Sequence, residues 1–261
     1  MKELYSAITE CYKYRFLINE LVQRDIKVRY RRSVLGILWT ILTPILQMLV
    51  MTMVFSRLFR FEIEYYVVYL LIGNIMFSFM SDTTNVSIWV ILENAGLIKK
   101  VYIPKILFPV TKTISNVVNV GFSLVALLVV MIITKVPFRW TIFLIFIPIL
   151  YCTIFVMGMS SLLATLTVFF RDISHIYTVF TMLWMYATPI FYPKSLLEDN
   201  FSFILQLNPM FHYIDYFRSL VIEGVVPGIT ENMICLGFAL FFGILGTIVL
   251  VRHQDKFILY I

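Results

Sequence analysis

The sequence predicts an all-α membrane protein with six transmembrane helices, an N-terminal interfacial amphipathic helix and two short helices between spans five and six. Of the 261 residues, 61% are hydrophobic and only 14% are charged, whereas soluble domains typically carry about a quarter charged residues. In addition, the stretch from Val34 to Phe55 contains no ionisable residue. It is therefore long enough to cross a hydrocarbon core of roughly 30 Å.

A cationic block immediately precedes this first span. The charged residues of the block are Arg24, Asp25, Lys27, Arg29, Arg31 and Arg32. Since Lys and Arg beside a span remain on the cytoplasmic side, we expect the N-terminus inside and the first span to run outward. With the spans given below, 15 of 21 Lys and Arg lie inside and six lie outside. The net charge of +6 therefore indicates topology and contact with lipid headgroups, not with nucleic acid.

The chain divides into a cytoplasmic interfacial region, residues 1–33, and a transmembrane domain, residues 34–261, with both termini inside. The spans are predicted at 34–55, 66–91, 106–134, 140–168, 176–192 and 231–251. Pro44 predicts a kink in the first span. Residues 1–33 mix acids with bases and lack an apolar core, so we expect no secretory signal peptide there.

Residues 1–23 have the apolar periodicity of an amphipathic helix. The apolar positions at helical spacing are Leu4, Ile8, Cys11, Ile18 and Val22. Such a helix lies on the inner membrane surface or packs on a protein partner, and the pattern fits both equally.

The inner half of span two is unusually polar and contains Asp82. A charge at the bilayer centre costs roughly 2.5–3.5 kcal/mol on insertion scales, so Asp82 should face protein or water. Two interpretations remain open: the side chain lines a cavity near the cytoplasmic entrance, or it bonds to a neighbouring helix.

The loop from Glu93 to Lys105 is short and basic, and an apolar pair, Leu97 and Ile98, lies between its charges. An isolated loop has no need of such a pair, so we interpret it as a small docking helix for a cytoplasmic protein. An ordinary positive-inside anchor is the alternative.

The outer segment 193–230 is divided by Pro and Gly into two short apolar pieces, Ser195–Leu207 and Met210–Ile222. Both are too short to cross a membrane. His212 and Asp215 are three residues apart on the second piece, which is weak evidence for a catalytic pair. No nucleophile or metal constellation accompanies this pair, so we expect no catalytic residue. The three cysteines have no metal-ligand spacing, so we expect no metal.

Several blocks of the sequence resemble the type-two ABC transporter permeases, in the branch that exports O-antigen, capsule and teichoic-acid-like polymers. The blocks, which follow the family's order, are R-D-I-K-V-R-Y-R-R-S-V-L-G-I-L-W (24–39), N-A-G-L-I-K-K-V-Y-I-P-K (94–105), F-F-R-D-I (169–173), T-P-I-F-Y-P (188–193) and N-P (208–209). The first two blocks are specific, and the likeness covers nearly the whole chain.

The resemblance implies a homodimeric pathway powered by two copies of a separate ATPase subunit, which uses ATP and Mg. No G-x-x-x-x-G-K-[ST] loop is present, so we expect no cofactor in this chain. The inner loop after span two resembles the family's coupling helix. The residues that we assign to ATPase coupling are Glu93, Asn94, Gly96, Leu97, Ile98, Lys99, Lys100, Arg171 and Asp172.

The resemblance further implies that the two short outer helices are gate helices and that rings from spans one and five line a glycan channel. The channel-lining candidates are Trp39, Phe55, Asp82, Tyr177, Phe180, Trp184 and Tyr192. The implied substrate is a polysaccharide, lipid-linked or free, that is exported across the cytoplasmic membrane of a bacterium.

Three other functions compete with polysaccharide export. A lipid or drug efflux permease of the same class is the nearest. A secondary transporter would require ionisable residues near the midplane for ion coupling, and Asp82 alone is poor support for it. A membrane-embedded transferase would require a cluster of Asp, Glu or His at one membrane face, for which only His212 and Asp215 are candidates.

Overall fold

The computed structural model describes residues 2–30, 36, 38–58, 63 and 65–260, and in these ranges the chain forms helices and turns without a β-strand. The α-helices of the described chain are α1 (Lys2–Lys13), α2 (Arg15–Tyr30), α3 (Leu38–Leu58), α4 (Tyr66–Glu93), α5 (Ala95–Ile98), α6 (Leu107–Ile133), α7 (Phe146–Phe169), α8 (Ile173–Ala187), α9 (Ser195–Gln206), α10 (Pro209–Arg218) and α11 (Ile229–His253). Two 3₁₀ turns, Trp140–Leu144 and Gln254–Leu259, extend α7 and α11, and a π turn, Ser219–Glu223, follows α10.

Within the described ranges, four helical segments are long and apolar enough to cross a membrane: Tyr66–Glu93, Leu107–Ile133, Trp140–Phe169 and Ile229–Leu259. They match predicted spans two, three, four and six. Predicted spans one and five correspond to α3 and α8. Helix α3 contains Pro44, and α8 has 15 residues, which extend only about 22 Å. The six-span topology therefore stays a prediction.

The long helices alternate in direction, which places the connecting segments at two ends of the bundle. One end carries α1, α2, residues 94–106, residues 170–172 and residues 254–260, and we call it the basic end. Contacts at this end include the Phe169 ring, which packs edge-on against the rings of His253 and Phe257. The opposite end carries residues 134–139, 188–194 and 207–228.

Helices α7 and α11 approach each other through glycines. A Cβ atom on Gly158 would overlap the backbone of Phe242, and one on Gly246 would overlap the backbone of Gly158. Small residues of this kind are typical of membrane helix interfaces, because they let two backbones come into van der Waals contact. This pair forms one wall of the main hydrophobic core, whose fully buried rings include Phe155, Tyr213 and Phe217.

At the opposite end, Arg218 holds the turn that follows α8. The side chain is only 4% exposed. Its guanidinium donates to the carbonyls of Pro189 (2.8 Å), Ile190 (3.1 Å) and Tyr69 (3.1 Å), and it lies 3.3 Å from the centroid of the Tyr69 ring. A buried cation is stable only when its donors are paired, so Arg218 fixes both its own position and that of the turn. We call these contacts the Arg218 clamp.

Asn208 makes a second connection at this end. Its side-chain oxygen caps α10 by accepting from the backbone N–H groups of Met210 and Phe211, and it also accepts from Trp184 Nε1 at 2.8 Å. Its amide donates to Thr188 Oγ1 at 2.8 Å. The N-P block therefore begins α10 and joins it to the end of α8.

We expect that Gly246→Ala lowers the free energy of unfolding by about 2 kcal/mol, because the added methyl group meets backbone that cannot move aside. Gly237→Ala is the matched control, since a Cβ at that position of α11 meets nothing within 4 Å. Thermal unfolding of the purified protein in detergent, followed by size-exclusion chromatography, measures the difference. Equal melting temperatures for the two variants would contradict the close contact.

We expect that Arg218→Met destabilises the protein by about 3 kcal/mol, because three buried carbonyls lose charge-assisted hydrogen bonds. The control is Lys194→Met, which removes an exposed ion pair with Asp215 (3.3 Å) of a kind worth about 0–1 kcal/mol. The measurements are the melting temperature and the rate of proteolysis between residues 188 and 194. A variant that resists protease as well as the wild type would show that the clamp does not hold this turn.

Candidate functional site

The segment that follows α4 forms a short helix at the basic end. The Asn94 amide donates to the Val90 carbonyl at 2.7 Å, and the Asn94 carbonyl accepts from the backbone N–H groups of Leu97 and Ile98. These bonds turn the chain sharply after Glu93 and start α5. Glu93, Gly96, Lys99 and Lys100 are exposed, and a Cβ on Gly96 would meet no atom within 4 Å.

The apolar pair, from which we inferred a docking helix, is largely covered by this chain itself. Ile98 is only 5% exposed and belongs to a hydrophobic cluster at the basic end, while Leu97 is half-buried against that cluster. Their burial in this chain explains the apolar pair without a partner. The exposed surface that remains for a partner is formed by Gly96, Lys99 and Lys100 and by the exposed side chains of Val101 and Tyr102. The assignment of α5 to ATPase docking stays a prediction.

Arg171 and Asp172 form the turn between α7 and α8 at the same end, and both side chains are exposed. The Arg171 carbonyl accepts from the Ser174 hydroxyl at 3.0 Å, and the Asp172 carbonyl accepts from the N–H of His175. The backbone thus begins α8 while the two charges point outward. This geometry leaves the side chains available to a partner at the basic end.

Ion pairs attach the N-terminal helices to the bundle. Asp25 accepts from Lys112 Nζ at 2.6 Å, which ties α2 to α6, and Arg252 donates to Glu3 at 3.1 Å, which ties α1 to α11. A backbone hydrogen bond and Arg252 both stabilise the Glu3 carboxylate, so its pKa lies below the ordinary value.

The remaining cations of the block do not all lie in the described chain. Arg24 lies 3.4 Å from Asp25, and Lys27 is exposed. The side chain of Arg29 and residues Arg31 and Arg32 lie outside the described residues. The orientation that we inferred from this block stays a prediction.

The channel-lining candidates occupy different places in the structure. Phe180 and Trp184 line an apolar groove of about 1160 Å³ between α8, α9, α10 and α11, and their ring centroids are 5.3 Å apart. We call it the aromatic groove. Its other rings are Phe203, Phe238, Phe241 and Phe242. Phe180 is 48% exposed, whereas Trp184 is held by its bond to Asn208.

Tyr177 and Tyr192 lie outside this groove. Tyr177 is only 4% exposed, and its hydroxyl donates to Thr84 Oγ1 at 2.8 Å, which joins α8 to α4. Tyr192 is half-buried, and its carbonyl accepts from the Tyr69 hydroxyl at 2.9 Å. Both rings pack within this chain. Their role in a channel stays a prediction.

Trp39 and Asp82 line a separate cleft of about 330 Å³ between α3, α4 and α6. Asp82 is exposed at this cleft, and both interpretations of its role stay predictions. The side chain of Phe55 lies outside the described residues. The structure therefore brings the candidates together in two pairs, Phe180 with Trp184 and Trp39 with Asp82.

The structure gives His212 and Asp215 different partners, which removes the weak suggestion of a catalytic pair. His212 Nε2 lies 3.0 Å from the Gln206 carbonyl, and Asp215 pairs with Lys194. Among the described residues no three His, Cys, Asp or Glu side chains are grouped as metal ligands would be.

Sequence reasoning missed three residues with structural roles. Arg218 and Lys112 each carry a charge among apolar neighbours, which is a signal for a buried ion pair or clamp. Asn208 directly precedes Pro209, the arrangement of a helix N-cap followed by proline at the first helical position. None of these local signals identifies the distant residue that each side chain contacts.

Comparison with known proteins identifies the family. Residues 17–222 match the family model for the ABC-2 type transporter. The O-antigen export system permease protein RfbA of Myxococcus xanthus is 33% identical over 223 residues, which cover 84% of this chain and 85% of that protein. A permease protein of the same name from Klebsiella pneumoniae is 30% identical over 238 residues, which cover 89% of this chain and 88% of that protein.

The match includes α2 to α10 and hence the basic loop, the aromatic residues of α8 and the Arg218 clamp. Together with four helices of membrane-spanning length, it confirms the resemblance found in the sequence and describes a membrane-embedded permease. The chain therefore belongs to the ABC-2 type transporter family.

Proposed function

We propose that this chain is the transmembrane subunit of an ATP-driven exporter that moves a polysaccharide, lipid-linked or free, across the cytoplasmic membrane of a bacterium. The observation that carries the proposal is the similarity over most of the chain to permeases named for O-antigen export. The charge distribution supports the orientation: the basic end faces the cytoplasm, with both termini inside.

The energy source lies in a separate subunit. This sequence has no phosphate-binding loop of the G-x-x-x-x-G-K-[ST] type, so ATP and Mg belong to two copies of a cytoplasmic ATPase. The exposed surface of α5 and the turn at Arg171 and Asp172 lie at the same end, which gives such a subunit two adjacent points of contact. Because α5 is anchored through Ile98, a displacement of α5 by the ATPase is transmitted to α4 and to the hydrophobic cluster that contains Ile98.

The pathway is formed by two copies of this chain. A polymer is polar, yet each sugar ring offers apolar C–H faces that pack on aromatic rings. The aromatic groove presents exposed rings such as Phe180 with few polar groups around them, so a sugar chain can slide without being trapped. Export of a lipid or a drug by the same architecture is the alternative, and the apolar lining of the groove is the observation that favours it.

We expect that Lys99→Glu combined with Lys100→Glu reduces the amount of ATPase that co-purifies with the permease roughly tenfold, because four units of charge change on the docking surface. Lys135→Glu with Lys194→Glu makes the same change of charge at the opposite end and serves as the control. Wild-type recovery of the ATPase with normal export would show that α5 is an anchor only.

We expect that Phe180→Ala slows export of the polymer roughly three- to tenfold while the protein stays folded, because the ring is exposed in the groove and its loss removes stacking. Leu183→Ala is the control, since Leu183 is an exposed residue of the same helix that does not line the groove. The measurement is polymer at the cell surface per permease in the membrane. Equal export by both variants would remove Phe180 from the pathway.

Trp184 is a poorer test of the channel. The indole N–H donates to the residue that caps α10, so Trp184→Ala removes a structural bond as well as a ring. Trp184→Phe keeps an aromatic ring and removes only the bond, which separates the two effects.

A further inference from the structure

Three helices of apolar composition face one another across a cleft that is lined by many polar side chains. We call it the polar cleft. Its polar residues are Thr40, Thr43 and Gln47 of α3, Asn74, Ser78 and Asp82 of α4, and Asn116, Asn119 and Ser123 of α6. The cleft encloses about 330 Å³, within the range of small-molecule sites, roughly 300–1,000 Å³.

The polar positions recur at helical spacing. Asn74, Ser78 and Asp82 are four residues apart and therefore share one face of α4 over roughly 12 Å. Asn116, Asn119 and Ser123 share one face of α6 in the same way. The two faces form a row of hydrogen-bonding groups that runs along the bundle axis, well inside the 28-residue α4.

Hydrogen bonds between neighbouring side chains hold this row in position. Asn74 Nδ2 donates to Gln47 Oε1 at 3.0 Å, which joins α4 to α3, and Asn119 Nδ2 donates to Asn116 Oδ1 at 3.0 Å. A carboxamide has two N–H donors and an oxygen that can accept two hydrogen bonds. The bond between the two helices uses one donor of Asn74 and one acceptor position of Gln47. The Ser78 hydroxyl in turn lies 3.5 Å from Asn74 Oδ1. These bonds orient the amides in advance, and the bond from Asn74 uses none of the N–H donors of Gln47.

The composition of the cleft favours hydroxyl groups as ligands. Amides and hydroxyls both donate and accept, so they match the vicinal hydroxyls of a sugar. Trp39 lies at the cleft with 43% of its surface exposed, where its ring can pack on an apolar C–H face. Among the described lining residues, Asp82 is the one carboxylate, and the other polar side chains are amides and hydroxyls.

We propose that the polar cleft is a saccharide-binding site that holds neutral sugar units through their hydroxyl groups. The proposal rests on the proposed function and deepens it, because it specifies the sugar hydroxyl groups as the part of the substrate that the permease binds. The aromatic groove and the polar cleft then differ in role: rings let the chain slide, whereas amides hold it between steps. Each individual bond is weak, so successive sugar units exchange along the row.

The first experiment replaces both members of the amide pair, Gln47→Leu with Asn74→Leu. Removing both partners together leaves neither amide unpaired and costs only the long contact between the Ser78 hydroxyl and Asn74 (3.5 Å), so we expect the variant to fold. Asn85→Leu is the control, since Asn85 is an amide of α4 that bonds to Ser81 of its own helix and lies outside the cleft. The readout is the sugar released by acid hydrolysis from permease purified, with its co-purifying subunits, from cells that make the polymer.

We expect roughly tenfold less sugar per permease in the double variant and an unchanged amount in Asn85→Leu. Equal sugar in the double variant and the wild type would overturn the saccharide site and leave the proposed function intact. A wild-type permease that carries and exports no saccharide would overturn both.

A second experiment does not depend on the folding of the double variant. Asn119→Cys is labelled with a membrane-permeant maleimide in a background in which Cys11 is Ser, because Cys152 and Cys235 are buried. We expect labelling to be several-fold slower in cells that make the polymer than in cells that do not. Equal labelling in both strains would exclude a saccharide from the cleft. Labelling blocked in both strains would show that a second copy of this chain covers it, and this also overturns the proposal.

Discussion

The need of buried charges and buried backbone carbonyls for hydrogen-bond partners shapes this structure. Water is scarce inside a membrane, so an unpaired carbonyl or cation costs several kcal/mol. The Arg218 clamp meets this need for the turn after α8, and Asn208 meets it for the start of α10. At the basic end, Lys112 and Asp25 neutralise each other. These hydrogen bonds and ion pairs position the surfaces on which the proposed function depends.

The two ends of the bundle differ in the contacts that their turns make. At the basic end, charged side chains such as Lys99 and Arg171 are exposed on short turns that are anchored by a hydrophobic cluster. At the opposite end, the turn after α8 is clamped from within by Arg218 and Tyr69, so little of its backbone is available to a partner. The exposed charges of the basic end are therefore consistent with the proposed docking of an ATPase subunit there.

Elements with local signals could be predicted from the sequence. Prolines and glycines mark the short outer helices, and the predicted pieces Ser195–Leu207 and Met210–Ile222 agree with α9 and α10 within a few residues. Contacts between distant residues could not be predicted. The sequence around Ile98 does not indicate that its side chain is buried, and the sequence around Trp184 does not indicate its hydrogen bond to Asn208. The division of candidate channel residues between a groove and a cleft likewise depends on how helices pack.

The central claim is that this chain forms a pathway but carries no energy source of its own. The most direct measurement reconstitutes the purified chain in lipid vesicles, alone and with the ATPase that co-purifies with it, and follows glycan transfer across the bilayer. The account predicts transfer only when both subunits and ATP with Mg are present. Transfer by the chain alone, driven by an ion gradient, would contradict it.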